Sequence, residues 1–158
     1  MECAVAGLSR ARNAGIAATS GELVAFTDDD CLPTAEWVTA ARSAFTATEL
    51  GIVTGPVLAD REVKRTVSAD PRQEAFSYGW GDDPSKVGHG ANMTFRRAAL
   101  EQVGVFDPML GAGTPMRAAE DTDMIWRVLR AGWTGRFEPT VVLSHRQWRT
   151  TAQAVKIS

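Results

Sequence analysis

Leu23-Val24-Ala25-Phe26-Thr27-Asp28-Asp29-Asp30 passes from apolar, strand-forming side chains to three consecutive carboxylates. Leu23 to Thr27 is a continuous apolar run of the kind found in a buried parallel strand. Adjacent acids repel one another, and folding has no need of three in a row. The carboxyl end of a strand is where open α/β sheets place ligand chemistry. That charge density suits a hard divalent cation, Mg²⁺ or Mn²⁺, which prefers oxygen donors. Such a cation would in turn suit a phosphorylated substrate.

Outward from this stretch, strands and helices alternate. Ser9 to Thr19 is Ala-rich and reads as a short helix, ended by Ser20-Gly21. Beyond the acids, Pro33 and Thr34 are expected to open a helix over Ala35 to Thr46, with Thr34 as N-cap. Trp37, Val38, Ala41 and Phe45 recur at helical spacing and should face the core. Ile52 to Leu58 reads as a strand interrupted near Gly55-Pro56. Residues 59–87 are polar and irregular, with a short helix expected near Arg72 to Tyr78. Asn92 to Phe95 then reads as a strand and Ala98 to Val103 as a helix. Met109 to Met116 is a Gly-rich loop, and Ala118 to Ala131 the strongest helix, stopped by Gly132. Trp133 to Phe137 and Val141 to Leu143 are short strands. This alternation argues an α/β domain.

The bulk properties bound the function. At 158 residues the chain is about one domain long. A net charge of −2 gives no electrostatic argument for nucleic acid or an anionic membrane. No apolar run approaches the roughly 20 residues of a membrane span, and a signal peptide is not apparent. Cys3 and Cys31 form no metal-binding spacing or disulfide framework, and read as two reduced thiols of a cytoplasmic protein.

A second carboxylate cluster, Glu120-Asp121-Thr122-Asp123, opens the strongest helix. Asp121, Ile125 and Val128 share one face, so the apolar stripe carries Asp121 inward. A buried-side carboxylate is costly without a job or a partner, and the helix N-terminus lowers that cost. Asp123 and Glu120 alone read as charge complementarity to the helix dipole. A metal-binding acid group plus a separate inward acid suits group transfer. The first would neutralise a diphosphate leaving group and the second take a proton from an incoming hydroxyl.

These pieces resemble, in order, the family 2 glycosyltransferases of GT-A fold. The matching blocks are Ala11-Arg12-Asn13-Ala14-Gly15, then Gly21 to Phe26 leading into Asp28-Asp29-Asp30. Gly90-Ala91-Asn92-Met93-Thr94-Phe95-Arg96-Arg97 and Val103-Gly104-Val105-Phe106-Asp107 follow. Gly111 to Thr114, Glu120 to Asp123 with Arg127, and Val142-Leu143-Ser144-His145 complete the set. The resemblance covers residues 8–146 of a single partial domain spanning 1–158, with 147–158 as a tail. It implies a Rossmann-related, mixed but mostly parallel sheet flanked by helices. It further implies an inverting transferase that moves a sugar from a nucleotide-diphospho-sugar to a carbohydrate or lipid-linked acceptor, as in polysaccharide biosynthesis.

Residue roles follow from that resemblance. Asp30 is the expected metal ligand for Mg²⁺ or Mn²⁺, with His145 a further metal or diphosphate contact. Asp28 is expected at the nucleotide, with Asp29 also on the substrate side. Asp121 matches the general base, with Glu120 beside it near donor or acceptor sugar. Arg12 matches a position near the nucleotide, although on residue type alone it reads as a solvated charge on an exposed helix face. Gly90 and Asn92 would line the donor-sugar pocket, while His89 reads as bland. Trp37, Trp126 and Trp133 are expected in the core, and Trp148 either stacks on a sugar or caps the fold. Gln147-Trp148-Arg149 is not the Gln-x-x-Arg-Trp motif of processive synthases.

The resemblance also implies a strand, helix and strand ahead of the Ala-Arg-Asn helix, where only seven residues precede Leu8. A sheet edge or face that is normally covered should therefore be exposed, to be met by a second copy or a companion chain. The chain is expected in the cytoplasm, extending to the inner face of the membrane as a peripheral protein. Two other classes compete with transfer: an inactive remnant serving as an interaction module, and, ranked lower, a metal-dependent nucleotidyl- or phosphotransferase. The absence of a phosphate-cradling P-loop weighs against the last.

Overall fold

The computed structural model describes residues 6–60 and 69–146. Helix α1 (Leu8–Ala18) leads into strand β1 (Leu23–Phe26), and strand β2 (Cys31–Pro33) follows the acids. Helix α2 (Trp37–Ala44) precedes β3 (Leu50–Thr54) and β4 (Val57–Ala59). Next come β5 (Phe76–Tyr78), β6 (Met93–Arg96) and helix α3 (Arg97–Val103), then α4 (Glu120–Arg130), β7 (Thr134–Phe137) and β8 (Leu143–His145).

Five strands form one sheet in the order β1-β6-β3-β7-β5, and β2-β8-β4 form a small second sheet. The sheet is mixed, as expected, but less parallel than expected. Among the described residues only β3–β7 and β4–β8 pair in parallel, while β6 runs against both β1 and β3. Parallel neighbours need a long crossover, commonly helical. Here β3 continues through Gly55-Pro56 into β4 instead, and β6 arrives from a loop.

Two apolar clusters lie on the two sheet faces. Val24, Phe26, Ile52, Phe95, Phe106, Ile125, Val128 and Phe137 belong to the larger one, beneath α3 and α4. Trp37, Ala41, Leu50, Val53, Val57, Val141 and Leu143 form the other, beneath α2. The amphipathic pattern of α4 buries Met124, Ile125, Val128 and Leu129.

Several expectations are corrected. The segment near Arg72 to Tyr78 contributes β5 rather than a helix. Gly135 explains the fit: a Cβ there would lie 2.0 Å from the Tyr78 ring, so only glycine lets that ring lie on β7. Pro33 belongs to β2, and α2 starts at Trp37 with Glu36, not Thr34, at its N-cap. Pairing with β8 holds the chain extended past the point where helix was expected. Val38 is 68% exposed, and Trp126 meets Trp80 and Arg130 at the surface. Among the described residues, neither side chain is covered by a further helix or strand. β1 is an edge strand that buries Val24 and Phe26 but exposes Ala25, so it is not buried on both faces. Cys3 and Trp148 lie outside the described residues.

Candidate active site

β1 ends at Phe26, and the turn after it presents the acids. The Cys31 amide donates to the Asp28 carbonyl at 3.1 Å, and the Arg146 amide donates to the Asp30 carbonyl at 2.9 Å. These bonds pin the turn to the start of β2 and the end of β8. Pairing of β2 with β8 sets Cys31 opposite His145. Asp30 Oδ1 and His145 Nε2 consequently lie 3.4 Å apart. Asp30, Cys31 and His145 each offer a donor atom, and the three lie within 4.8 Å of one another. A carboxylate, an imidazole and a thiol at that separation fit a divalent cation. Burial pushes the Cys31 thiol up to about 11, with Asp28 adding to the effect.

Asp28, Asp29, Asp30 and His145 line one cleft of about 450 Å³, together with Leu8, Thr27, His89 and Ala112. His89, expected to be bland, thus lines the same cleft as the acids. Its Nδ1 accepts the Ala91 amide at 3.1 Å, which fixes the ring. Its adjacency to Gly90 was the available signal; only the fold shows that it faces the acids.

Behind the cleft sits Arg12, which corrects the expectation of an exposed, solvated charge. It is 7% exposed, and its guanidinium contacts three elements. Nη1 donates to Glu120 Oε1 at 2.9 Å, Nη2 donates to the Gly90 carbonyl at 3.2 Å, and Nη2 lies 3.5 Å from Asp28 Oδ1. The Phe26 and Phe106 rings flank it, at 6.0 and 5.5 Å from the guanidinium carbon. The next residue, Asn13, clasps the Phe106 backbone through both amide atoms at 2.8 Å. The Arg-Asn pair thus fixes α1 to the site on one side and to the loop after α3 on the other.

Glu120 is buried against Arg12, and its neighbour Asp121 is partly exposed at the start of α4. Asp121 Oδ2 accepts the Gly90 amide at 2.9 Å, and Oδ1 accepts the Thr122 amide at 2.7 Å. A Cβ on Gly90 would sit 2.5 Å from Asp121 Oδ2, so glycine here makes room for the carboxylate. Ala119, just before α4, holds a left-handed φ of 72°, a strained setting for a residue with a Cβ.

Asn92 does not line the cleft, contrary to the reading of its motif. It is fully buried; its amide donates to the Pro56 and Val141 carbonyls, and its oxygen accepts the Trp37 indole N–H. Both amide hydrogens are used within the protein, so the side chain ties β6 to α2 and to the crossings on either side. Among the described residues, the expected site set thus divides in two. Asp28, Asp29, Asp30 and His145 meet at the cleft, whereas Arg12, Gly90 and Glu120 form a support linking Asp28 to Asp121.

Comparison with known proteins gives this arrangement a class. A mannosyltransferase from Pyrobaculum calidifontis, solved with GDP-Man and Mn²⁺, superposes with a TM-score of 0.63 at 20% identity, over 95% of this chain and 39% of that one. GalNAc-T7, solved with UDP, GalNAc and Mn²⁺, superposes with a TM-score of 0.64 at 15% identity, over 92% of this chain and 31% of that one. These likenesses define a GT-A fold.

The sequence pattern of glycosyl transferase family 2 matches residues 2–104, and the chain belongs to that family. It is also 28% identical over 146 residues to the pre-mycofactocin glycosyltransferase of two Mycobacterium tuberculosis strains. That alignment takes in 88% of this chain and 30% of the relative, so the chain spans about a third of the relative's length.

Proposed function

We propose that this chain carries the catalytic face of an inverting glycosyltransferase that uses a nucleotide-diphospho-sugar donor. The observation that carries the reading is the acid cleft, with Asp121 held beside it through Gly90. Donors and Mn²⁺ named with the structural neighbours support the same reading.

In this reading the diphosphate lies over Asp28, Asp29 and Asp30. Asp30 and His145 would hold a divalent cation, Mg²⁺ or Mn²⁺, which when bound stabilises the departing nucleoside diphosphate. Asp121 receives the proton of the acceptor hydroxyl. The acceptor oxygen forms its bond to the anomeric carbon opposite the breaking bond to the diphosphate, which inverts that carbon. The amides of Gly90 and Thr122 orient the Asp121 carboxylate for this step. Arg12 neutralises Glu120 and sets the distance between Asp28 and Gly90. The acceptor in this reading is a carbohydrate or a lipid-linked molecule, as in polysaccharide biosynthesis. No described helix is long and apolar enough to cross a membrane, which accords with a cytoplasmic enzyme that meets membrane acceptors peripherally. Among the described residues the outer edge of β1 is unpaired, which favours cover by a companion chain or a second copy.

Thermal stabilisation by nucleoside diphosphates, measured with and without Mn²⁺, tests the donor site directly. The expected result is a shift that requires Mn²⁺ and is lost in Asp30→Ala. Asp121→Asn is expected to keep that shift and lose transfer. A shift independent of both metal and Asp30, or full turnover in Asp121→Asn, would overturn the corresponding assignment.

A further inference from the structure

The three donors around the acid turn differ in depth and in chemistry. Asp30, with its side chain 24% exposed, and His145, 14% exposed, line the open cleft. Cys31 is 9% exposed and belongs to the apolar cluster beneath α2, so its sulfur lies deeper than the other two donors. Strand pairing brings this about. Cys31 and His145 are register partners across β2 and β8, which directs both side chains to the same sheet face. Backbone bonds on either side of Asp30 hold that carboxylate above the pair. The result is one oxygen, one nitrogen and one sulfur donor within 4.8 Å of one another.

We propose that Cys31 is a third protein ligand of this cation site, so that the site takes a sulfur-accepting ion, Zn²⁺ or Co²⁺, more tightly than Mg²⁺. The inference rests on the metal assignment above and extends it to the class of ion. Carboxylate and water suit Mg²⁺ and Mn²⁺, whereas a thiolate selects Zn²⁺ and its neighbours. On ligation the sulfur–metal bond replaces the S–H bond, and the proton passes to solvent. Three protein donors leave further coordination positions for ligand oxygens from the cleft side, the arrangement of an open rather than a closed site.

Co²⁺ titration of the full chain, in a Cys3→Ser background that leaves Cys31 as the sole thiol, tests this without any sugar donor. The expected result is an intense near-ultraviolet sulfur-to-cobalt charge-transfer band that Zn²⁺ bleaches and that Cys31→Ser removes. Zn²⁺ affinity should fall at least about tenfold in Cys31→Ser, while Mn²⁺ affinity changes less than about threefold. Should Cys31→Ser fold poorly, ¹¹³Cd NMR on the Cys3→Ser protein reads the same point from the downfield shift that sulfur ligation produces. Cobalt or cadmium binding with only oxygen and nitrogen signatures would overturn the role of Cys31 and leave the Mn²⁺-dependent nucleotide shift intact. Failure to bind any of these cations would overturn the metal site as well.

Discussion

Two regions flank the same strand, β1, and could hardly be finished more differently. At its carboxyl end, α1, the Gly90 loop and the start of α4 close around Arg12, and Asp28, Glu120 and Asp121 each meet a partner there. Alongside β1, the α2 face is open. A hollow of about 500 Å³ lies over Leu23, Ala25, Val38, Phe45 and Thr94, and among the described residues no strand pairs with the outer edge of β1. Among the described residues, Thr94 Oγ1 is the buried side-chain polar atom left without a hydrogen-bond partner, and it borders that hollow. Apolar side chains along an unpaired edge, with a stranded hydroxyl beneath them, mark a surface suited to being covered. The contrast teaches that, among the described residues, the Arg12 corner is cross-linked by side-chain bonds while the layer beside it is not.

The largest effect should come from breaking the closed corner. Arg12→Ala leaves Glu120 buried and unpaired, and is expected to cost about 3–5 kcal/mol in urea unfolding. A loss under about 1 kcal/mol would mean that the corner is looser than its hydrogen bonds imply. Gly90→Ala places a methyl on the Asp121 carboxylate, and about 1–3 kcal/mol should be lost to overpacking. If the proposed transfer holds, the displaced carboxylate should also slow it on the order of 100-fold. Equal rates in the two proteins would separate Gly90 from the chemistry.

The open face should respond in the opposite sense. Thr94→Val removes a hydroxyl that has no partner and keeps the shape, so the isolated chain should gain about 1 kcal/mol. A partner that covers this face and bonds the hydroxyl would turn that gain into a loss, which co-purification followed by the same melt would detect. Val38→Ser changes an exposed side chain and is expected to stay within about 0.5 kcal/mol. A larger destabilisation would show that the face is already covered in solution.

Much of the corner was legible beforehand. Apolar run followed by acids located Asp28, Asp29 and Asp30, because a buried strand and a carboxylate cluster leave different and adjacent signatures. Periodicity expected Asp121 to be the inward carboxylate of α4, whereas Glu120 is the buried one and Asp121 is partly exposed; the motif order placed His145 near the acids. Three things were not legible. Arg12 reads as solvated because its three partners lie 16, 78 and 108 positions away in sequence. Asn92 reads as a pocket residue because a local block cannot show that Trp37, Pro56 and Val141 use its amide. The segment around Phe76 reads as helical because its strand exists only through pairing with β7.

The sequence by itself therefore determined which chemical groups this protein has to work with and which elements carry them. Local periodicity, turn residues and charge clustering depend on neighbours a few positions apart. Tertiary structure alone decided which of those groups meet. It joined Cys31 to His145 through strand register, turned Arg12 from a surface charge into a buried link, and set β1 at the edge of the described sheet. Each of those outcomes depends on contacts between distant segments, whose pairing the local sequence does not encode.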